Sequence, residues 1–229
     1  MKSIIVIFPG TNRENDMSTA VERASGKKPT FIWHNETELP DADLIIIPGG
    51  FSYGDYLRSG AMAARSAVMK AVSRRAKSGV SVLGVCNGFQ ILTETGLLPG
   101  VSIRNRELKF ICRNIDIRVE VTDTVFTKRY NKGQRLSIPA AHNDGNYFAE
   151  EKILNELESQ NRVAFRYVDP AGEANLFGNP NGSVNNIAGI LNKDKNILGL
   201  MPHPENATDP RIGNTDGQPL FESLVGALL

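Results

Sequence analysis

The sequence predicts an α/β fold in which a doubly wound, mostly parallel sheet carries flanking helices and some antiparallel additions. In the first half of the chain, short apolar runs that fit buried strands alternate with segments of helical spacing, which is typical of a parallel sheet. The second half contains a segment in which apolar and polar residues alternate, which indicates an antiparallel strand with one solvated face. No repeat, low-complexity tract or linker interrupts the 229 residues, so we expect one domain over residues 1–229.

The first half supplies the elements of the parallel sheet. Residues 3–8 form a continuous apolar run that suits a central strand, and residues 16–24 follow as a helix that Asp16 could cap. The later elements are strands over residues 30–33 and 44–47, a helix over residues 61–78 and a strand over residues 80–85. Right-handed crossovers between parallel strands would gather the loops that follow them along one edge of the sheet.

The second half is less regular. Residues 112–121 show the alternating pattern, and residues 187–191 and 197–201 read as two strands joined by a polar turn. The other predicted elements are a helix over residues 150–158, a strand over residues 163–167 and a closing helix over residues 219–229.

Composition excludes several classes of function. Lys and Arg total 26 and Asp and Glu total 25, so the charge balance favours neither nucleic acid nor an anionic membrane as a partner. The apolar run over residues 4–8 is too short for a secretion signal or a membrane span, and we expect a cytoplasmic protein. The spacing of the two cysteines and three histidines suggests no metal cluster, and the chain has no phosphate-binding loop for ATP.

Residues 84–88, Gly-Val-Cys-Asn-Gly, lie between an apolar strand and a helical segment and match the pattern of a nucleophile elbow. In such a turn the nucleophile, here Cys86, has a strained backbone, and glycines avoid collisions with the neighbouring strand and helix. The helix that starts at Asn87 would direct its amides and positive dipole end at the sulfur, which favours a thiolate and can hold an oxyanion. A small buried cysteine at a strand end explains the pentapeptide equally well.

Residues 199–205 add a histidine and a carboxylate two positions apart after another strand. Two prolines are expected to keep this segment extended, so that Glu205 can orient His203, which in turn can take the proton of the thiol. A polar loop histidine with a solvated acid is the alternative. Because both segments follow strand ends, where open α/β sheets gather their sites, they jointly favour catalysis. A zinc deaminase site is excluded because no cysteine follows His203.

At these residues the chain resembles the class I glutamine amidotransferases, which have a flavodoxin-like fold, a cysteine in a nucleophile elbow and a late His-x-Glu. Within that group it is similar to the glutaminase subunits of phosphoribosylformylglycinamidine synthases. The matching stretches are residues 8–12, 48–58, 84–90, 108–110, 179–183 and 199–205. The Gly-Gly-Phe-Ser-Tyr-Gly-Asp block within residues 48–58 is the stretch most specific to the subfamily.

The resemblance implies a triad of Cys86, His203 and Glu205 that hydrolyses glutamine to glutamate and ammonia. It also implies oxyanion and substrate contacts from four residues: Gly49, Gly50, Asn87 and Gln90. No metal and no cofactor would be bound by this chain. A separate large synthetase subunit would use ATP and magnesium to amidate formylglycinamide ribonucleotide in purine biosynthesis, together with a small accessory subunit.

The chain departs from the family pattern at a few positions. Arg13 and Ser59 stand where the family usually has cysteines, and residues 141–145 read Ala-His-Asn-Asp-Gly instead of Ala-His-Gly-Glu-Gly. None of these positions belongs to the triad. We expect His142 to be a structural or interface residue, and Arg58 to hold a carboxylate or the partner protein or else to be a solvated loop charge.

Three other functions fit parts of the pattern. The chain could be a glutaminase for another acceptor, such as a pyridoxal phosphate or guanylate synthetase. It could also be a cysteine hydrolase of the DJ-1-like group, although that group often has histidine where this chain has Asn87. A silent binding module that keeps the elbow only as scaffolding is the third alternative, and the complete triad argues against it.

Overall fold

The computed structural model describes residues 1–228, and its largest element is a mixed sheet of nine strands, with two further strands paired separately. The strands are β1 (Ser3–Ile7), β2 (Thr30–Trp33), β3 (Leu44–Ile47), β4 (Ser81–Val85), β5 (Val101–Ile103), β6 (Ile111–Val119), β7 (Arg135–His142), β8 (Asn146–Phe148), β9 (Val163–Tyr167), β10 (Ile187–Leu191) and β11 (Ile197–Leu200). The helices are α1 (Glu14–Ser25), α2 (Ala61–Ala64), α3 (Ala67–Lys77), α4 (Asn87–Glu94), α5 (Glu151–Ser159) and α6 (Gln218–Leu228).

The large sheet has a parallel part and an antiparallel part, in the order β2-β1-β3-β4-β11-β10-β9-β6-β7. The first five strands pair in parallel, and the last four join through antiparallel pairings. Every residue of β3, β4 and β11 is buried. Since successive side chains of a strand point to opposite faces, both faces of this part are covered. The predicted fold class is confirmed.

Strands β4 and β11 determine where the functional loops meet. They are neighbours and run parallel, with Val85 level with Leu200. The residues that follow the two strands therefore leave the sheet side by side at its carboxyl edge, which is where ligands bind in open α/β sheets. The backbone amide of Cys86 donates to the carbonyl of Leu200 at 2.8 Å, which fixes the first residue beyond β4 against the end of β11.

Two helix predictions were wrong in detail. Helix α1 begins at Glu14 with Arg13 at the N-cap, so Asp16 lies inside the first turn instead of capping it, and its carboxylate accepts from Arg13 at 2.9 Å. The single helix expected over residues 61–78 is two helices, α2 and α3. The second starts anew at Ser66, whose hydroxyl accepts from the Met69 amide at 3.4 Å, as an N-cap residue does.

Three strands had no counterpart in the prediction. Strand β7 lies at the edge of the large sheet and contains Pro139, a residue that argues against a strand from sequence because it cannot donate to a ladder. Strands β5 and β8 have three residues each and pair only with each other. No helix within residues 1–228 combines the length and apolar character needed to cross a membrane.

Candidate active site

Cys86 occupies the turn between β4 and α4 in a backbone conformation that non-glycine residues rarely adopt, with φ 52° and ψ −108°. The chain reverses there from strand to helix, and Asn87 is the first helical residue, as predicted. The side chain is 5% exposed, and its sulfur lies 3.7 Å from the carbonyl oxygen of Ala141 on β7. The residue thus combines a strained backbone with a confined sulfur at the start of a helix.

Glycines on either side of the cysteine allow this turn. A Cβ atom on Gly88 would lie 1.9 Å from the carbonyl oxygen of Ile47, and one on Gly84 would lie 2.7 Å from the carbonyl oxygen of Gly88. Both distances are far below van der Waals contact, so the helix could not pack this close to β3 and β4 with any side chain there. The glycines on either side of Cys86 thus prevent collisions with the neighbouring strands and helix, as the sequence suggested.

The segment after β11 holds His203 and Glu205 in a tight pair. His203 Nδ1 lies 2.7 Å from Glu205 Oε1, and both side chains are buried. The expectation that the segment stays extended was wrong, because Pro204–Asn206 form one turn of 3-10 helix in which the Asn206 amide donates to the His203 carbonyl at 3.2 Å. Proline suits the first position of such a turn since its φ is already helical.

The imidazole of His203 lies beside Cys86 at Gly49. A Cβ on Gly49 would be 2.7 Å from His203 Cε1 and 3.4 Å from Cys86 Cβ, so both side chains flank this glycine. Burial disfavours the imidazolium, but the charges of Glu205 and Cys86, together with the hydrogen bond to Glu205, outweigh burial and raise the pKa of His203 to about 10. This arrangement favours an imidazolium between two anionic groups.

The loop after β3 packs against the segment after β1. Gly50 has φ 154° and forms an isolated antiparallel bridge with Thr11, and a Cβ on Gly50 would lie 2.6 Å from the carbonyl oxygen of Gly10. The backbone at Gly49 and Gly50 is therefore packed closely between its neighbours, with His203 and Cys86 beside Gly49. Side chains at these two positions would not fit. Such close backbone approach is what a site built from amide groups requires.

Asn87 and Gln90 bind other parts of the protein in this structure. The Asn87 side chain accepts from the Ser52 amide at 3.1 Å and donates to Gln90 Oε1 at 2.9 Å, and Gln90 Nε2 donates to the Asp144 carbonyl at 2.7 Å. These bonds join α4 to the loops that follow β3 and β7. The side chain of Asn87 thus holds its loop in place, while its backbone amide belongs to the first turn of α4, whose amides lack partners within the helix.

Two residues near the site have structural partners. His142 is 2% exposed and its Nε2 lies 3.2 Å from Asn181 Nδ2, while burial and the charge of His203 lower its pKa to about 3. The imidazole is therefore neutral. Arg58 makes two hydrogen bonds of 2.7 and 2.6 Å to the carboxylate of Glu94, so its charge is paired with an acid of the same chain.

Sequence reasoning missed several residues around the cysteine. The carbonyl of Pro139 accepts from the His203 amide at 2.8 Å, and the Ala141 carbonyl contacts the sulfur, so β7 forms one wall of the site. Asp55 lies near Asp144, and burial together with the charge of Asp144 raises the pKa of Asp55 to about 6. Any residue type can supply a backbone carbonyl, so the sequence does not reveal these contacts, and the pairing of β7 was not predicted.

The described residues offer no metal site, since no group of three or more His, Cys, Asp or Glu side chains within 1–228 is arranged to hold an ion. Cys112 is exposed and Cys86 is buried, and both are free thiols. A buried thiol, an imidazole and a carboxylate lie together here, with backbone amides around them.

Comparisons with known proteins show the family to which the chain belongs. The family model of the CobB/CobQ-like glutamine amidotransferase domain matches residues 1–218. The phosphoribosylformylglycinamidine synthase subunit PurQ of Mesorhizobium japonicum is 54% identical over 226 residues, which cover 99% of each chain. The corresponding subunit of Rhodopseudomonas palustris is 55% identical over 226 residues, covering 98% of this chain and 97% of the other.

Solved structures extend the likeness to three dimensions. A chain in the structure of PurLQS from Thermotoga maritima has a TM-score of 0.88 and 40% identity, covering 100% of this chain and 99% of that one. The glutaminase domain of Trypanosoma brucei CTPS with bound acivicin has a TM-score of 0.61 at 15% identity, covering 100% and 94%, and shares the fold. The match over residues 1–218 and the identity to full-length relatives confirm the expected resemblance, and the chain belongs to the glutamine amidotransferase family of phosphoribosylformylglycinamidine synthase PurQ subunits.

Proposed function

We propose that this chain is the glutaminase subunit of a phosphoribosylformylglycinamidine synthase and that Cys86, His203 and Glu205 are its catalytic triad. The observation that carries the triad is the buried His203–Glu205 pair at 2.7 Å, placed against the thiol of a strained nucleophile elbow. A nucleophile, a base and an orienting acid in this order are the parts needed for acyl transfer. The relatives named above support glutamine as the acyl donor.

In the first step the Cys86 thiolate attacks the side-chain amide carbon of glutamine. The C–S bond forms as the carbonyl π electrons move to oxygen, and amides around Gly50 and Asn87 hold the resulting oxyanion. Removal of one such donor costs on the order of 3 kcal/mol in comparable sites. The backbone at Gly49 and Gly50 therefore matters as much to the rate as the base does, and Gln90 is a candidate substrate contact whose side chain would exchange its present partners.

In the second step the C–N bond breaks and His203 delivers its proton to the leaving nitrogen, which departs as ammonia. The neutral imidazole then accepts a proton from water as the water oxygen attacks the thioester carbon. Collapse of this second tetrahedral intermediate releases glutamate and restores the thiolate–imidazolium pair. Glu205 keeps Nδ1 of His203 protonated throughout, so that Nε2 is the atom that exchanges the proton.

Ammonia needs an acceptor site joined to the glutaminase, because it is protonated and lost in water. We propose that a large synthetase subunit supplies that site, uses ATP and magnesium to amidate formylglycinamide ribonucleotide, and assembles with a small accessory subunit. The solved structure of PurLQS from Thermotoga maritima supports a multisubunit assembly of this kind. We further propose that residues 1–229 act as one glutamine amidotransferase domain in the cytoplasm.

The decisive experiment replaces Cys86 with Ala in the assembled synthase and compares glutamine with ammonium chloride as nitrogen donors. We expect glutamine-dependent product formation to fall to background while ammonia-dependent formation stays within about twofold of the wild-type rate, because the synthetase active site is untouched. Cys112→Ala, at the exposed second thiol, is the matched control and should keep both activities. Full glutamine-dependent activity in Cys86→Ala would refute the assignment.

The nature of the acceptor is tested separately. Glutamine hydrolysis by the purified chain should be low alone and should rise when the formylglycinamide ribonucleotide synthetase is added. Stimulation by a guanylate or pyridoxal phosphate synthetase instead would favour the alternative acceptors. The DJ-1-like alternative has less support, since the relatives that match the whole chain are synthase subunits.

A further inference from the structure

Arg13 lies over the triad although it belongs to a different element. It occupies the N-cap of α1, and its Cγ would lie 3.4 Å from a Cβ on Gly49, the same glycine that touches His203 and Cys86. The arginine stem, the Cβ of Cys86 and the imidazole of His203 therefore surround the same point beside Gly49. Its guanidinium extends to Asp16 with a contact of 2.9 Å, and the side chain is 38% exposed.

The triad carries a net negative charge when it is ready to react. A thiolate at Cys86, a carboxylate at Glu205 and one imidazolium at His203 leave one negative charge in a buried volume, where charges interact strongly. The hydrogen bond to Asp16 is the main reason why the pKa of Arg13 is raised, and the charges of Glu205 and Cys86 act in the same direction. The geometry agrees, because the Arg13 Cγ and the Cys86 Cβ each lie 3.4 Å from the same point beside Gly49.

The other titratable groups around the sulfur cannot supply a positive charge. His142 is neutral because burial lowers its pKa to about 3. The pKa of Tyr167 is raised, mainly by burial and also by the charge of Cys86, so its phenol is neutral as well. The further positive charge near the sulfur is therefore the guanidinium of Arg13, at the start of α1.

We propose that Arg13 is a positioning residue that stabilises the thiolate form of Cys86 by its charge. It acts through the electric field at the sulfur, from a position beside Gly49, and forms no bond with the substrate. Asp16 moderates this effect because it shares the charge of the guanidinium. The inference rests on the proposed role of Cys86 as the nucleophile.

The test measures alkylation of Cys86 by iodoacetamide as a function of pH, in a Cys112→Ser background so that one thiol reacts. The thiolate sulfur displaces iodide from the methylene carbon, so the rate follows the thiolate fraction. Arg13→Met keeps an unbranched stem over Gly49 but removes the charge. We expect its pH midpoint to rise by on the order of half a unit, with a rate about threefold lower below the midpoint, since a partly exposed charge is screened by solvent.

Two further variants separate charge from packing. Arg13→Lys should retain the wild-type midpoint to within about 0.2 units, because a cation remains at the same place. Asp16→Asn should lower the midpoint, since it frees the guanidinium and removes an opposing charge. A midpoint in Arg13→Met equal to that of the wild type, or one in Arg13→Lys equal to that of Arg13→Met, would overturn the proposal. Absence of pH-dependent alkylation of Cys86 in the wild type would instead refute the proposed nucleophile.

Discussion

Replacement of Glu205 by Gln tests how the carboxylate acts on His203. The amide has nearly the same shape as the carboxylate and can still accept a hydrogen bond from Nδ1, which lies 2.7 Å from Oε1. What disappears is the negative charge. Burial, which disfavours the imidazolium, is the largest single influence on His203, so without Glu205 the pKa should fall from about 10 toward the ordinary histidine value of 6.5 or below.

The size of the effect follows from the protonated fraction of the imidazole. At pH 8 a group with a pKa of about 10 is about 99% protonated, whereas one with a pKa of about 6.5 is about 3% protonated. The fraction of enzyme that holds a thiolate–imidazolium pair would therefore drop about thirtyfold at this pH. Loss of orientation adds to this, because an amide can also turn its donor toward the ring, and removal of the acid from such triads costs on the order of 10⁴-fold in kcat.

The assay is glutamine-dependent turnover of the assembled synthase between pH 6 and pH 10. A raised His203 pKa means that the ion pair persists until pH approaches 10, so the alkaline limb of kcat/KM should lie high in the wild type and shift to lower pH in Glu205→Gln. Glu36→Gln, at an exposed acid away from the site, is the matched control. An alkaline limb that stays in place in Glu205→Gln would show that the carboxylate does not hold the charge of His203.

Two further predictions concern the scaffold around the site. Gly88→Ala should destabilise the fold by about 3 kcal/mol or prevent folding, since its Cβ would lie 1.9 Å from the Ile47 carbonyl oxygen. Gly96→Ala is the control: it has open space around it and only an unfavourable φ of 71°, so it should cost about 1 kcal/mol. Urea unfolding measures both changes in stability. His142 has a folded-state pKa of about 3, below its ordinary value, so its contribution to stability is complete above pH 6.5 and is lost as pH falls toward 3. His142→Gln should therefore lose about 2 kcal/mol less stability than the wild type between pH 7 and pH 5, and an equal loss in both proteins would contradict the pKa shift.

The sequence predicted the central parallel strands β1, β3, β4 and β11 well because they are buried on both faces. Strand β3 has the predicted bounds, residues 44–47, and β1, β4 and β11 differ by one residue from the predictions over residues 3–8, 80–85 and 197–201. Outside this buried group, the edge strand β2 and the antiparallel strands β9 and β10 also have the predicted bounds, residues 30–33, 163–167 and 187–191. A short run of apolar residues that ends at turn residues fits a buried strand when helices cover both faces of a sheet, and few other structures. The parallel rule also explains why Cys86 and His203, far apart in sequence, were expected at one edge, since neighbouring strands β4 and β11 deliver them there.

The local geometry of the acid was harder to predict. Two prolines restrict the residues before them to extended conformations, and this gave the expectation of an extended segment through Glu205. A proline also favours the first position of a helical turn, and the structure takes this second option at Pro204. The choice between the two depends on what the His203 amide binds, and that partner lies on β7, more than sixty residues away in sequence.

Pro139 explains how the edge strand and the catalytic turn fit together. In an antiparallel strand the amide and carbonyl of one residue point to the same side, and here that side faces His203, because the Pro139 carbonyl accepts from the His203 amide at 2.8 Å. An ordinary residue at position 139 would offer an N–H beside this carbonyl and could pair with the incoming chain as another strand. Proline offers the carbonyl alone. The segment after β11 therefore forms one hydrogen bond to β7 at His203, but residue 139 offers no N–H with which it could continue as a paired strand. It can instead turn at Pro204, which brings Glu205 back to the imidazole.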